Sequence, residues 1–101
     1  MIGRFRDQAT RDLWEGLSTK DARRIVALEH HGKAATRLDF VFRAASMTAF
    51  ALLPPGADFK ALHGAFRGFY QLRIAGPDRI RFSWDGTETR EIQAGQFHDQ
   101  D

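Results

Sequence analysis

The chain has 101 residues, enough for one hydrophobic core but too few for a second, so we expect a single domain over residues 1–101. Apolar residues make up 43% and charged residues 28% of the chain, a balance that excludes disordered and membrane classes. No apolar run approaches the roughly 20 residues that a membrane-spanning helix needs. The first twelve residues also lack the apolar stretch of a signal peptide. We therefore expect a cytoplasmic protein with no membrane partner.

The charged residues indicate a particular kind of ligand. The net charge is only +2, but Lys20, Lys33 and Lys60 are the only lysines, so most of the positive charge comes from arginine. The planar guanidinium of arginine matches phosphate geometry. Since the chain contains no cysteine, disulfides, thiolate nucleophiles and thiolate metal sites are excluded. The composition favours a local phosphate site over a general polycation.

The first half of the chain is predicted to be mostly helical. After a short strand at residues 1–5, apolar residues recur at helical spacing over residues 7–17 and again over residues 33–45. Ser18 and Asp21 are spaced as in a capping box, so another helical segment is expected to begin between these two stretches.

Several residues are expected to interrupt or end this helical half. Gly32 indicates a break before the long helix, and Ser46 is the expected N-cap of a further short helix. Pro54–Gly56 ends helical structure because proline lacks the amide donor and glycine permits a turn. His30 and His31 are adjacent, point in different directions on a helix and lack a third ligand, so no metal site is expected.

The second half of the chain alternates apolar and polar residues with period two. Three strands are predicted, at residues 69–74, 79–84 and 90–93, joined by turns at the segments AGPD and DGT. One face of this antiparallel meander is apolar and can be covered by the helices, which makes the fold class α+β. The residues expected on the opposite, open face are Arg67, Phe69, Gln71, Arg73, Arg79, Arg81 and Ser83.

Several segments together resemble one family of proteins. The segments are MIGRFRDQATRDLWEG, LPPGADFKALHGAFRGFYQLRIAGPDRIRFSWDG and the terminal pair Phe97-His98. They resemble the HigB, or plasmid maintenance system killer, family of the RelE/ParE toxin superfamily, over nearly the whole length and in the same order. The resemblance implies a RelE-like fold with N-terminal helices packed on one face of a twisted, mainly antiparallel sheet.

The resemblance also implies a function. Members of the family are toxins of type II toxin–antitoxin systems, which cleave ribosome-bound mRNA, inhibit translation and are neutralised by a HigA-like helix-turn-helix antitoxin. RNA can be cut without a metal ion or cofactor if a base, an acid and cations act together on the 2′-hydroxyl, the leaving oxygen and the phosphate. The resemblance implies catalytic roles for His63, Arg79 and His98, with Arg79 as the main phosphate contact.

Further residues are implied to contact RNA. Lys60, Arg67 and Arg73 are cations expected on or near the open face, and Phe97 can stack on an unpaired base. The chain departs from the family at two positions: His63 stands where the family usually has lysine, and Phe97 where it has tyrosine. The assignment of base and acid therefore stays open.

These two departures leave two alternatives to an RNA-cleaving toxin. One is a toxin on the same scaffold with another target, such as a ParE-like inhibitor of gyrase. The other is a catalytically degenerate protein whose remaining role is to bind an antitoxin.

Overall fold

The structure, a computed structural model, describes residues 1–97 of the chain and contains three α-helices and four β-strands. The helices are α1 (Gln8–Trp14), α2 (Lys20–Ile25) and α3 (His31–Arg43). The strands are β1 (Lys60–Ala61), β2 (Phe69–Ala75), β3 (Asp78–Trp84) and β4 (Thr89–Gly95). Short 3₁₀ turns lie at Leu28–His30, Met47–Leu52 and Gly64–Phe66. The fold class is α+β, as predicted.

The first two helices begin at side-chain caps. The Asp7 carboxylate accepts a hydrogen bond from the amide of Thr10 (2.8 Å), and the Thr19 hydroxyl accepts one from the amide of Ala22 (3.2 Å). The predicted cap Ser18 is wrong by one residue. Its hydroxyl is hydrogen-bonded to Nδ1 of His31 instead (2.8 Å) and joins the start of α3 to the loop after α1.

Helix α3 is the main helix against the sheet. It begins at His31 and includes Gly32. Two helical pieces are present as expected, but the chain leaves the α-helix between Ile25 and His31 and not at Gly32. Ala34, Leu38 and Val41 form a buried stripe at helical spacing. Gly32 is the second residue of the helix and lies in its first turn, so the cost of about 1 kcal/mol for a glycine in a helix interior does not apply to it.

Two other predicted elements differ from the structure. The predicted strand at residues 1–5 is a tight turn followed by one bridge to the sheet. Ile2 and Phe5 exchange backbone hydrogen bonds of 2.8 and 2.9 Å, and Phe5 pairs in parallel with Ile92 of β4. Gly3, with φ of +60°, permits this reversal. The short helix predicted from Ser46 onward is a 3₁₀ turn, Met47–Leu52, and the Ser46 side chain makes no capping hydrogen bond.

The four strands form an open antiparallel sheet in the order β1-β2-β3-β4. Strands β2 and β3 are joined by a tight hairpin whose last pair is Ala75 and Asp78. The helices cover one face of the sheet, where Leu72, Ile80 and Phe82 belong to the same buried cluster as the α3 stripe. Within residues 1–97, no helix has the length and apolar character needed to cross a membrane.

Candidate functional site

A row of polar side chains crosses the open face of the sheet. Lys60 pairs with Gln71, Gln71 with Arg81, and Arg81 with Gln93, so each strand contributes one residue. Directly paired residues point to the same face and lie about 5 Å apart. Gln71 and Arg81 are only 8% and 6% exposed, although they lie on the side away from the helices. Other parts of the chain must therefore cover the centre of this row.

Two aromatic rings cover Arg81. The guanidinium carbon lies 4.2 Å from the centroid of the Phe66 ring and 4.2 Å from the centroid of the Phe97 ring. Both distances lie within the range of a cation–π interaction. One guanidinium nitrogen of Arg81 also donates to the side-chain oxygen of Gln71, at 3.5 Å. The N–H groups of a guanidinium point outward in its plane, so a ligand binds Arg81 through that edge while the two rings contact its π-system.

A cavity of about 420 Å³ lies beside this stack. Its lining residues are Arg6, Phe66, Phe69, Arg81, Gln93, Gln96 and Phe97. Aromatic rings bind bases by stacking, guanidinium groups bind phosphate, and carboxamides can donate and accept hydrogen bonds at a base edge. Every kind of side chain in this lining therefore suits a nucleotide strand.

The loop between β1 and β2 positions the Phe66 ring. The amide of Leu62 donates to the carbonyl of Phe69 (2.9 Å), and the chain then turns through the 3₁₀ turn Gly64–Phe66. Gly64 and Gly68 have φ of +63° and +95°, which L-residues rarely adopt. The two glycines permit the reversal that brings Phe66 over Arg81.

One carboxylate lies near the cavity, at an irregular point of the sheet. Pairing shifts between Arg81 and Ser83, so that β4 bulges, and Glu91 has φ of +51°. An oxygen of the Glu91 carboxylate accepts a hydrogen bond from the Ser83 hydroxyl (2.9 Å), and the other lies 3.5 Å from the Arg6 guanidinium. Glu91 thus partly neutralises the Arg6 cation at this edge of the cleft.

The residues expected to act in catalysis or RNA binding fall into two groups. Lys60 belongs to the polar row and Phe97 covers Arg81, while His63 and Arg67 flank the 3₁₀ turn that contains Phe66. All four lie at or near the cleft. The His63 and Arg67 side chains are exposed, and within residues 1–97 neither ring nor guanidinium forms a hydrogen bond or ion pair.

Arg73 and Arg79 lie beside the β2–β3 hairpin, where they pair with each other. Arg79 is two residues from Arg81 along β3, or roughly 7 Å at the rise of an antiparallel strand, and it pairs with Gly95 of β4. Arg79 donates to the carbonyl of Gly76, and Arg73 lies 3.2 Å from the Asp58 carboxylate. Both guanidinium groups therefore stabilise the hairpin end of the sheet. The third expected catalytic residue, His98, lies outside the described residues.

The alternation of β3 assigned Arg81 to the open face but did not distinguish it from the other arginines there. Phe66 is preceded and followed by polar or small residues, so no periodicity marks it as a partner of Arg81. The stack depends on the path of two loops, and period-two patterns do not describe loops. The available signal is the pair of glycines at positions 64 and 68, which predicts sharp turns on both sides of Phe66.

No protein-family model and no curated protein matches this chain. Membership of the HigB family therefore remains an expectation that rests on the segments quoted above.

Proposed function

We propose that the helices and the antiparallel sheet form a RelE-like fold and that the protein is a cytoplasmic toxin of a type II toxin–antitoxin system. Its proposed activity is ribosome-dependent cleavage of mRNA without a metal ion, and its proposed partner is a HigA-like helix-turn-helix antitoxin. The resemblance of the quoted segments to the HigB family supports the class of protein. The chemistry of the open face supports an RNA ligand.

The main supporting observation is the Arg81 stack within the polar row. A guanidinium held between Phe66 and Phe97 keeps its orientation, so it can bind a phosphate without first losing conformational freedom. The Gln71 and Gln93 carboxamides lie on either side of it in the row. The half-buried Phe69 ring, which lines the same cavity, offers a surface on which an unpaired base can stack.

The proposed chemistry uses the residues around this stack. His63 exchanges a proton with the attacking 2′-hydroxyl or the leaving 5′-oxygen, since histidine is the side chain that most often serves as a general acid or base. Arg81 and Lys60 stabilise the charge that develops on the phosphate. Arg67 contacts the RNA backbone near the cleft, and Arg73 and Arg79 contact it farther along the sheet. His98 is the proposed second proton-transfer group.

A translating system with defined mRNA tests the cleavage activity. Purified protein is added, and new 5′ ends are mapped with and without ribosomes. We expect cuts only in translated mRNA, and His63→Ala is expected to slow cleavage by about 10²–10⁴-fold, the usual contribution of a general acid or base. Intact mRNA in the presence of the wild-type protein would reject the nuclease proposal.

The chain offers a matched pair of arginines as a control for charge. Arg67 and Arg24 are both exposed, but Arg24 lies on α2, where it pairs with Asp21 at 3.3 Å. Arg67→Ala is expected to weaken RNA binding, whereas Arg24→Ala is expected to leave it unchanged. Equal losses for the two variants would indicate a nonspecific effect of net charge.

One observation favours a second function, in which the protein binds without cutting. The residues that line the cavity within the described part of the chain include neither histidine nor lysine, so none is a usual proton-transfer group at neutral pH. A degenerate toxin that engages an antitoxin is consistent with such a cleft. Induced expression that leaves growth unaffected, together with tight binding to the product of an adjacent helix-turn-helix gene, would select this function over the nuclease.

A further inference from the structure

The segment that closes the cleft follows β4, and two consecutive residues of it make different contacts. Phe97 lies on the open face against the Arg81 guanidinium. The side chain of Gln96, one residue earlier, donates to Oδ1 of Asp78 at 3.2 Å. The hydrogen bond between Gln96 and Asp78 therefore restrains the backbone next to Phe97 and, with it, the position of the Phe97 ring.

Asp78 is a fully buried carboxylate that connects three parts of the chain. Its exposed fraction is 0%. Its Oδ2 accepts from the amide of Ala27 at 3.2 Å and is hydrogen-bonded to Nδ1 of His30 at 2.7 Å, while Oδ1 accepts from Gln96. Hydrogen bonds to this charged group compensate for its burial. The loop after α2, the start of β3 and the segment after β4 thus meet at one side chain.

We propose that Asp78 is a positioning residue for the cleft. By holding Gln96, it keeps Phe97 against Arg81, and it thereby maintains the two-ring stack that orients the guanidinium. Asp78 does not line the cavity itself, but its partner Gln96 does, so Asp78 acts on the cleft through Gln96 and the neighbouring Phe97. Its effect on RNA binding rests on the proposed function, whereas its effect on the Phe97 ring does not.

Gln96 is the better position for substitution because it is exposed, whereas replacement of Asp78 could prevent folding. Gln96→Glu has the same size but replaces the donating amide by a carboxylate that repels Asp78. Gln96→Lys restores a donor to the same carboxylate. Gln8→Ala is the matched control, since the Gln8 amide donates to Asp12 at 2.9 Å in the same way but within the helical layer.

The first measurement is the NMR chemical shift of the Arg81 side-chain protons, which ring currents from Phe66 and Phe97 displace upfield. Phe97→Leu gives the displacement that remains with Phe66 alone. We expect Gln96→Glu to move the Arg81 signals most of the way to that value, and Gln96→Lys and Gln8→Ala to leave them near the wild-type position. Unchanged Arg81 signals in Gln96→Glu would overturn the proposal.

The second measurement is the affinity for a fluorescein-labelled, single-stranded RNA, followed by anisotropy. Because Gln96 lines the cavity, the comparison is with Gln93→Glu, which puts the same charge in that lining without a hydrogen bond to Asp78. Gln96→Glu is expected to weaken binding about fivefold more than Gln93→Glu, the effect of losing one net hydrogen bond, and Gln96→Lys is expected to restore it. If the Arg81 signals move while Gln96→Glu binds no more weakly than Gln93→Glu, the role of Asp78 in RNA binding is overturned. If the signals move but the wild type binds no RNA, the proposed function fails and the positioning of Phe97 by Asp78 is supported.

Discussion

The two faces of the sheet bury neighbouring residues of β3 by different means. Phe82 is 0% exposed beneath the helices, and Arg81, the preceding residue, is 6% exposed on the opposite face. Phe82 is buried by many apolar side chains of a continuous core, whereas Arg81 is covered mainly by the Phe66 and Phe97 rings. Similar exposure therefore has different consequences. Substitutions under the helices are expected to change stability, and those on the open face are expected to change ligand binding.

The largest expected effect is on the helix-covered face. Phe82 stacks against Phe50 at 4.9 Å between ring centroids and also contacts Phe59 and Tyr70. Phe82→Ala should lower the free energy of unfolding by about 3–5 kcal/mol, since it removes buried surface and leaves a cavity. Urea denaturation measures this loss, with Phe82→Leu as a milder variant if the alanine protein does not fold. A loss below about 1 kcal/mol for Phe82→Ala would remove the distinction between the two faces.

The second prediction concerns a polar group on the same buried side. The Thr89 hydroxyl donates to the carbonyl of Val41 and accepts from the Arg4 guanidinium, both at 2.8 Å. Thr89→Val keeps the shape of the side chain but removes the hydroxyl that these two partners bind. The free energy of unfolding should therefore fall by about 1–3 kcal/mol. Thr36→Val, at an exposed position of α3, is the control and should change stability by less than about 0.5 kcal/mol. Equal effects of the two variants in urea denaturation would contradict the expectation.

The third prediction tests the open face. Arg81→Lys retains the charge but loses the planar group between the two rings, so RNA affinity should fall about fivefold to tenfold while stability falls by about 1 kcal/mol at most. Fluorescence anisotropy with single-stranded RNA and urea denaturation measure the two quantities. Arg43→Lys, on the exposed side of α3, is the matched control. If Arg81→Lys alters stability strongly and RNA affinity not at all, Arg81 is a structural residue of the sheet.

The smallest effect is expected in the turn between β3 and β4. Hydrogen bonds from the Glu88 and Thr87 amides to the Asp85 carboxylate, together with one from the Thr87 hydroxyl, lower the pKa of Asp85 from 3.8 to about 2. Because the folded pKa is below the unfolded one, Asp85 stabilises the fold above pH 3.8, and this contribution is lost as the pH falls towards about 2. A carbon NMR titration of the carboxylate should show the lowered midpoint. A midpoint near 3.8 would show that the turn does not hold the carboxylate.

Much of the fold could be predicted from the sequence because its strands alternate regularly. The predicted strands at residues 69–74 and 79–84 agree with β2 and β3, and the apolar stripe of α3 lies against the sheet. The N-terminal strand is shortened to one parallel bridge between Phe5 and Ile92, because Gly3 reverses the chain after two residues. Local patterns do not determine such a reversal when the apolar residues on both sides would also suit a strand.

The candidate site was less accessible to prediction. Composition and alternation indicated an arginine-rich open face, and the resemblance implied Arg79 as the main phosphate contact. The structure places Arg79 at the hairpin, with its guanidinium bound to the Gly76 carbonyl, and Arg81 at the centre of the cleft. Both arginines occupy the same face at a spacing of two residues. Their difference arises from which loops lie above them.

The sequence by itself determined the fold class and which face of β3 carries its arginines, since period-two alternation acts between adjacent residues. Only the tertiary structure decided which arginine lies in a cleft. That choice depends on Phe66 from the loop before β2 and on Phe97 from the segment after β4, which meet at Arg81 from distant positions in the chain. Such contacts follow from strand register and from the closure of loops, and neither is encoded in a local pattern.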